Sequence, residues 1–120
     1  MRSKVAIMRF TGKDDLSIDR TLEMIGGIND LNTTKRPVII KVGVFTTKRA
    51  HHSSVDVVRA IINVFDRAPE FLLAESDNYQ GTGSERLQVW KELFADNVIP
   101  FNLSEDTETR QFQIGGENLQ

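Results

Sequence analysis

Lys41, Glu75 and Asp77 are the residues of this chain whose types and positions most readily suggest chemistry. Lys41 lies late in one apolar segment, and Glu75 and Asp77 directly follow another. A buried lysine needs a partner because an unpaired charge is costly to desolvate, and either acid fits that role if the two segments are neighbouring strands. The functional interpretation is a lysine that contacts an anionic ligand or acts as a base. The alternative is a lysine whose stem carries its charge to solvent.

The acidic segment itself is a second candidate. Glu75, Asp77 and Asn78 supply carboxylate and amide oxygens, which are the ligands that Mg²⁺ prefers. Two nearby carboxylates can also divide the roles of acid and base. The alternative is that these are ordinary polar residues of a loop after a strand. The sequence therefore nominates Lys41, Glu75, Asp77 and Asn78 for ligand binding and assigns no catalytic residue.

His51 and His52 are the two histidines of the chain. Neutral imidazole is the commonest metal ligand among side chains, but adjacent histidines rarely converge on one ion. The hypothesis is therefore a divalent-metal site that uses His52 together with Asp77. The alternative is a pair of loop histidines that precede a helix.

A glycine-containing turn, Gly81-Thr-Gly-Ser84, precedes a predicted helix and makes Ser84 a further ligand-binding candidate. Free N–H groups and the helix dipole suit a phosphate at such a position. The turn lacks the spacing of a P-loop and has no lysine after its glycines. The alternative is a turn whose Ser84 caps the helix.

The elements that must position these residues alternate between strand and helix. Short apolar, β-branched segments predict strands at residues 4–10, 37–44, 71–74 and 98–101. Helical spacing of apolar residues predicts three intervening helices. The first follows a cap at Asp15 or Ser17, and the second follows a cap at Ser53 or Ser54, where Ser53 with Asp56 resembles a capping box. The buried side of the third helix is predicted to include Trp90, which we assign to the core.

This order predicts a three-layer α/β/α fold with a mainly parallel sheet of four or five strands. Residues 1–104 form one domain in this prediction, and residues 105–120 form a polar tail that is disordered or partly derived from a protease-site tag. Residues 110–114 are the candidate fifth strand. Because ligands of open parallel sheets bind at the carboxyl ends of the strands, a site is expected in the segments after the first three strands. These are residues 11–15, the loop after residue 41 and the loop from residue 75, of which the last two are the longest and the richest in polar residues.

Composition narrows the classes of partner. The 120 residues contain no cysteine, which excludes disulfides, cysteine-ligated zinc and an iron–sulfur cluster held by this chain. A net charge of −2 argues against a general nucleic-acid-binding surface. No apolar run approaches the ~20 residues of a membrane span and no signal sequence is evident, so we expect a cytoplasmic protein without a membrane partner.

Three stretches together resemble the domain of unknown function 362 family: residues 38–43 (Val-Ile-Ile-Lys-Val-Gly), residues 53–62, and residues 71–77 (Phe-Leu-Leu-Ala-Glu-Ser-Asp). The resemblance covers roughly residues 4–103. Family members typically have Ile-Lys-Pro-Asn at the first stretch and Gly-Glu-Ser at the last. This chain has Val42-Gly43 in place of Pro-Asn and Ala74 in place of the glycine, so Lys41 and Glu75 carry over and the family asparagine does not.

Members of that family are often longer, and some are fused to ferredoxin-like iron–sulfur domains. The resemblance therefore implies that the partner is the remaining part of a longer protein or an iron–sulfur protein. Two hypotheses follow. In the first, the chain is a ligand- or metal-binding domain of a larger, redox-linked protein. In the second, it is a non-catalytic interaction module completed by a further segment or a partner.

Overall fold

A three-stranded, all-parallel sheet lies at the centre of the computed structural model, which describes residues 2–12, 16–108 and 111. The strands are β1 (Val38–Lys41), β2 (Phe71–Glu75) and β3 (Val98–Asn102), in the spatial order β1-β2-β3. Val38 pairs with Phe71, and Phe71 pairs with Val98, so the first residues of the three strands lie side by side in the sheet. The prediction of an α/β fold with parallel strands is confirmed.

Helices connect the strands. Helix α1 (Ser17–Met24) precedes β1, α2 (Val55–Val64) joins β1 to β2, and α3 (Gly83–Arg86) continues into the 3-10 helix Leu87–Leu93 before β3. A short 3-10 helix, Leu103–Glu105, follows β3. In the described part of the chain, no helix is long and apolar enough to cross a membrane.

The prediction of a cap at Ser53 or Ser54 is confirmed at Ser54, whereas the predicted capping box of α2 and the predicted cap at Ser84 are wrong. Thr82 caps α3 through a reciprocal capping box with Glu85, whereas Ser84 lies inside the helix. Ser54 is the N-cap residue of α2, but no side chain accepts a capping hydrogen bond there. The proposed box partner Asp56 accepts a hydrogen bond from Arg59 at 2.6 Å instead. Ser17 lies within α1, and the other cap candidate, Asp15, is outside the described residues.

The core lies between one face of the sheet and the helices. Its fully buried side chains include Leu73 of β2, Leu87 and Trp90. Partly buried side chains such as Ile62 of α2 and Phe65, directly after α2, pack against them. Alternation along each strand puts the residues Val38, Phe71, Leu73 and Val98 on this face. Helix α2 also packs against the 3-10 helix, so both crossovers cover the same side of the sheet. The assignment of Trp90 to the core is confirmed.

The first predicted strand, residues 4–10, is not a strand in the structure. Val5 and Ile7 are exposed, and the segment has no place in the sheet. A strand exists only when a neighbour satisfies its backbone groups, and sequence pattern alone does not show whether that neighbour is present. The candidate fifth strand at residues 110–114 falls almost entirely outside the described residues, and so does most of the tail.

The second face of the sheet is less covered. Ile39 is 60% exposed and Ile99 is also exposed, and both project to the face opposite Leu73. Leu72 and Phe101 on the same face are partly buried. The described residues thus form one packed layer of helices on a three-stranded sheet, with an apolar second face.

Replacing Leu73 and Ile39 in turn by alanine tests this asymmetry. Leu73→Ala removes a fully buried side chain, and we expect it to lower the free energy of unfolding by about 2–5 kcal/mol. Ile39→Ala removes a similar volume from an exposed position and should cost less than about 1 kcal/mol. Urea denaturation followed by circular dichroism measures both. Equal losses would show that the second face is packed as tightly as the first.

Candidate functional site

Two loops meet at the carboxyl edge of the sheet. After β1, Val44 bridges His52 in antiparallel fashion, and the Phe45 N–H donates to the His51 carbonyl at 2.8 Å. The Ser53 N–H donates to the Gly43 carbonyl at 2.7 Å. These bonds close residues 44–52 into a compact hairpin-like loop, which we call the basic loop because it carries Lys48 and Arg49. The second loop, residues 76–82, follows β2.

Lys41 and Glu75 form the contact that the sequence suggested. Lys41 Nζ lies 2.8 Å from Glu75 Oε1, while the side chain of Lys41 is 59% exposed and that of Glu75 is buried. The expected partner of Lys41 is therefore Glu75, and the lysine stem also reaches solvent, whereas contact with an anionic ligand or a role as a base stays a prediction. The same carboxylate accepts from the Ser76 N–H at 2.9 Å and, through Oε2, from the Val44 N–H at 3.2 Å.

A third charged group, the Arg86 guanidinium, completes this network. Its Nη1 lies 3.9 Å from Glu75 Oε2, and the side chains of both residues are buried. Arg86 also donates to the carbonyl of Val44 in the basic loop and to the carbonyl of Ser76 in the second loop. One buried side chain of α3 thus holds both loops against the sheet edge. We call Lys41, Glu75 and Arg86 the charge network.

Asp77 has its own set of donors. Its Oδ1 accepts from the Gly83 N–H at 2.7 Å and from Asn102 Nδ2 at 3.0 Å. Gly83 is tightly enclosed, since a Cβ there would lie 2.6 Å from Asn102 Oδ1 and 2.7 Å from the Glu75 carbonyl oxygen. Asp77 therefore anchors the start of α3 to the end of β3.

The pKa values of both carboxylates lie below their ordinary values, for different reasons. Burial raises the pKa of Glu75, but the hydrogen bonds from Lys41, Ser76 and Val44 and the Lys41 charge outweigh burial and lower the pKa overall. The N–H of Gly83, followed by the Asn102 amide, lowers the pKa of Asp77. Both groups are consequently ionised near neutral pH, which argues against either acting as a general acid there.

The histidines occupy different environments in the basic loop. His51 is exposed, and its Nδ1 lies 2.8 Å from Thr46 Oγ1. His52 is partly buried, with its Nδ1 2.9 Å from the Ser53 carbonyl and its ring edge-on to Trp90 at a centroid distance of 5.7 Å. No group of three or more metal-binding side chains occurs among the described residues. The proposed metal pair of His52 and Asp77 stays a prediction.

The remaining candidates lie in or beside the second loop. Asn78 Oδ1 accepts from the Gln80 N–H at 2.7 Å within the turn that Asn78 and Gly81 close. Ser84 lines a groove of about 330 Å³ together with Leu87, Gln88 and Asn102, on the β3 side of the sheet. The structure thus places Ser84 away from Lys41, facing a different surface.

Sequence reasoning missed Arg86 and Asn102. Arg86 precedes Trp90 and Phe94 at intervals of four, so it falls on the apolar stripe of its helix, and a charge on such a stripe is the signal that was available. Asn102 extends the alternation that starts at Val98 and reaches the same sheet face. Both residues are buried polar groups with partners across the chain.

No protein-family model matches the sequence, and neither a curated protein nor a solved structure shows significant similarity to it. The function must therefore be argued from the site itself.

Glu75→Gln tests the charge network. The variant leaves Arg86 buried without its counter-charge, and breaking a buried pair from one side costs about 3–5 kcal/mol of unfolding free energy. A carboxylate whose pKa is depressed on folding stabilises the protein above its unfolded pKa of ~4.3 and loses this contribution as pH falls through the folded pKa. Stability of the original protein should thus fall below about pH 4.3, and the variant should lack that part of the fall.

The matched control is Glu23→Gln, which makes the same chemical change at an exposed position of α1. Urea denaturation at several pH values measures all three proteins. A Glu75→Gln profile parallel to that of the original protein would contradict the role assigned to Glu75.

Proposed function

We propose that this chain is the ligand-binding α/β domain of a larger, redox-linked protein, and that it binds a phosphate-bearing anion at the carboxyl ends of β1 and β2. The observation that carries the proposal is the position of Lys41. Its ammonium group is fixed at 2.8 Å from a buried carboxylate while most of the side chain faces solvent. A lysine held in this way keeps free N–H donors directed outward at the edge where parallel sheets bind ligands.

The charges around Lys41 support an anionic ligand. Residues 41–55 contain Lys41, Lys48 and Arg49 with both histidines, and no acidic residue. Lys48 and Arg49 are exposed on the basic loop. Glu75 does not oppose this charge, because Lys41 and Arg86 neutralise it, and Asp77 is engaged by Gly83 and Asn102. The surface next to β1 is therefore locally positive in a chain whose overall charge is negative.

The resemblance to the domain of unknown function 362 family agrees with this location. Lys41 and Glu75 are the residues that match the family pattern, and they are the two that form the ion pair. The redox link and the iron–sulfur partner rest on that resemblance alone. A divalent cation that accompanies the bound phosphate is compatible with the oxygen atoms of Asp77 and Asn78.

Titration of the ¹⁵N-labelled chain with pyrophosphate, with and without Mg²⁺, tests the proposal. We expect saturable amide shifts at residues 41–52 and 75–83, because the ligand contacts both loops. Lys48→Ala combined with Arg49→Ala should weaken binding about tenfold, since two charged contacts are lost.

The control is Lys35→Ala combined with Arg36→Ala, which removes the same two charges from the exposed segment before β1, at the opposite end of the sheet. This control should bind as the original protein does. Equal weakening in both double variants would indicate nonspecific charge attraction, and an unchanged spectrum at millimolar pyrophosphate would refute the proposal.

The uncovered sheet face favours a second candidate function, that of an interaction module. Ile39 and Ile99 are exposed and share one face of the sheet. Contiguous exposed apolar surface on a domain marks a docking site. We propose a further segment of a longer polypeptide as its occupant, because such a segment would supply the third layer that the alternation of elements predicts and because family members are often longer.

Binding of the fluorescent dye ANS tests this second candidate. Ile39→Lys combined with Ile99→Lys should strongly reduce dye fluorescence and leave the circular dichroism spectrum unchanged, because these side chains are exposed apolar groups. Met24→Lys, at an exposed apolar position on α1, is the control and should leave dye binding as it was. Undiminished fluorescence in the double variant would show that this face is not a docking surface.

A further inference from the structure

We infer that the anion bound at this edge is a nucleotide, whose base packs against the exposed rings of Phe45 and Tyr79. The inference rests on the proposed function and names its ligand class. Phe45 follows β1 and Tyr79 follows β2, so each loop contributes one ring. The ring centroids are 5.5 Å apart with an angle of 67° between the planes. This edge-to-face contact leaves ring faces open to solvent.

The exposure of this aromatic pair is unusual for side chains of its kind. Tyr79 is 81% exposed and Phe45 is 47% exposed, although Trp90 of the same chain is completely buried. An exposed aromatic pair carries a cost in water that the interior would relieve. Such pairs are used where a planar ligand covers them, because every nucleobase offers a flat face for stacking.

Both rings are supported by closed turns. The Phe45 N–H donates to the His51 carbonyl, and the Asn78 and Gly81 backbones exchange two hydrogen bonds of 3.0 and 3.1 Å around Tyr79. Both loops are hydrogen-bonded to the charge network at the sheet edge, because the Val44 N–H donates to Glu75 and Arg86 donates to the Ser76 carbonyl. The backbone that carries each ring is therefore held in place before a ligand arrives, which lowers the entropy lost on binding.

The basic loop carries one of these rings together with its basic residues. The His51 ring is 6.2 Å from Phe45 between ring centroids, and the backbone N–H of Lys48 donates to Thr46 Oγ1, which holds Lys48 in the same closed loop. The N–H of Val44, the residue before Phe45, bonds to Glu75, the partner of Lys41. A ligand that uses both the exposed aromatic rings and the basic residues has a planar base and a phosphate. Nucleotides are the chemical class that combines these two groups.

Isothermal titration calorimetry with AMP and ribose 5-phosphate tests the inference, because these ligands carry the same phosphate and differ in the base. We expect AMP to bind about tenfold more tightly. Tyr79→Ser should bring the two affinities together by weakening AMP alone. Tyr79→Phe, which keeps the ring, should retain the difference. Tyr79 is exposed, so neither variant is expected to affect folding.

The outcomes separate this inference from the proposed function. If AMP and ribose 5-phosphate bind equally, the anion site stands and the nucleotide inference is overturned. If AMP binds more tightly but Tyr79→Ser retains the difference, the base lies elsewhere and the inference is again overturned. If neither compound nor pyrophosphate binds, both the anion site and the nucleotide inference are refuted.

Discussion

The carboxyl edge of the sheet depends on the burial of Glu75 against Arg86. Taking either charge out of water alone would be costly, so the two must be placed together and their other polar atoms need hydrogen-bond partners. Glu75 accepts from N–H groups of both loops, and Arg86 donates from Nη1 and Nη2 to carbonyl oxygens of both loops, although its buried Nε has no partner among the described residues. The loops are therefore fixed by the requirements of the buried pair, together with the buried side chain of Val44 in the basic loop.

This arrangement explains how an acidic protein can present a positive surface at one edge. The carboxylate nearest to the proposed ligand is turned inward and neutralised, whereas the amine that pairs with it remains in solvent. In the Lys41–Glu75 ion pair the negative charge is thus buried, whereas the positive charge lies at the surface. An anion approaching from solvent meets Lys41 and the basic loop before it meets Glu75, and electrostatic attraction operates over that approach distance.

Whether a feature of this structure could be predicted from the sequence depends on how far apart in the chain the interacting residues lie. The second, third and fourth predicted strands and the pairing of Lys41 with Glu75 followed from local patterns and from the rule that carboxyl ends of parallel strands meet. Arg86 was missed because its partners lie 10 and 42 residues away, and a local pattern does not contain them. The cap of α2 is Ser54, one of the two predicted positions, but its capping box is absent because Asp56 pairs with Arg59, and Thr82 rather than Ser84 caps α3. The proposed roles of His52, Asn78 and Ser84 remain predictions.

The exposed segment at residues 4–10 and the apolar second face of the sheet have a common physical reading. Val5, Ile7 and Ile39 follow the pattern of buried strands, yet each is exposed. The sequence pattern indicates whether a side chain suits a buried or an exposed position. The structure shows how far the described residues bury that side chain. Ile39 and Ile99 are both exposed on the second face of the sheet, so the disagreement there is shared by neighbouring strands of one surface. Helices cover the packed side of this sheet, whereas the other side is exposed and has the apolar composition of a protein interior. We therefore keep an interaction module as the second candidate function beside nucleotide binding.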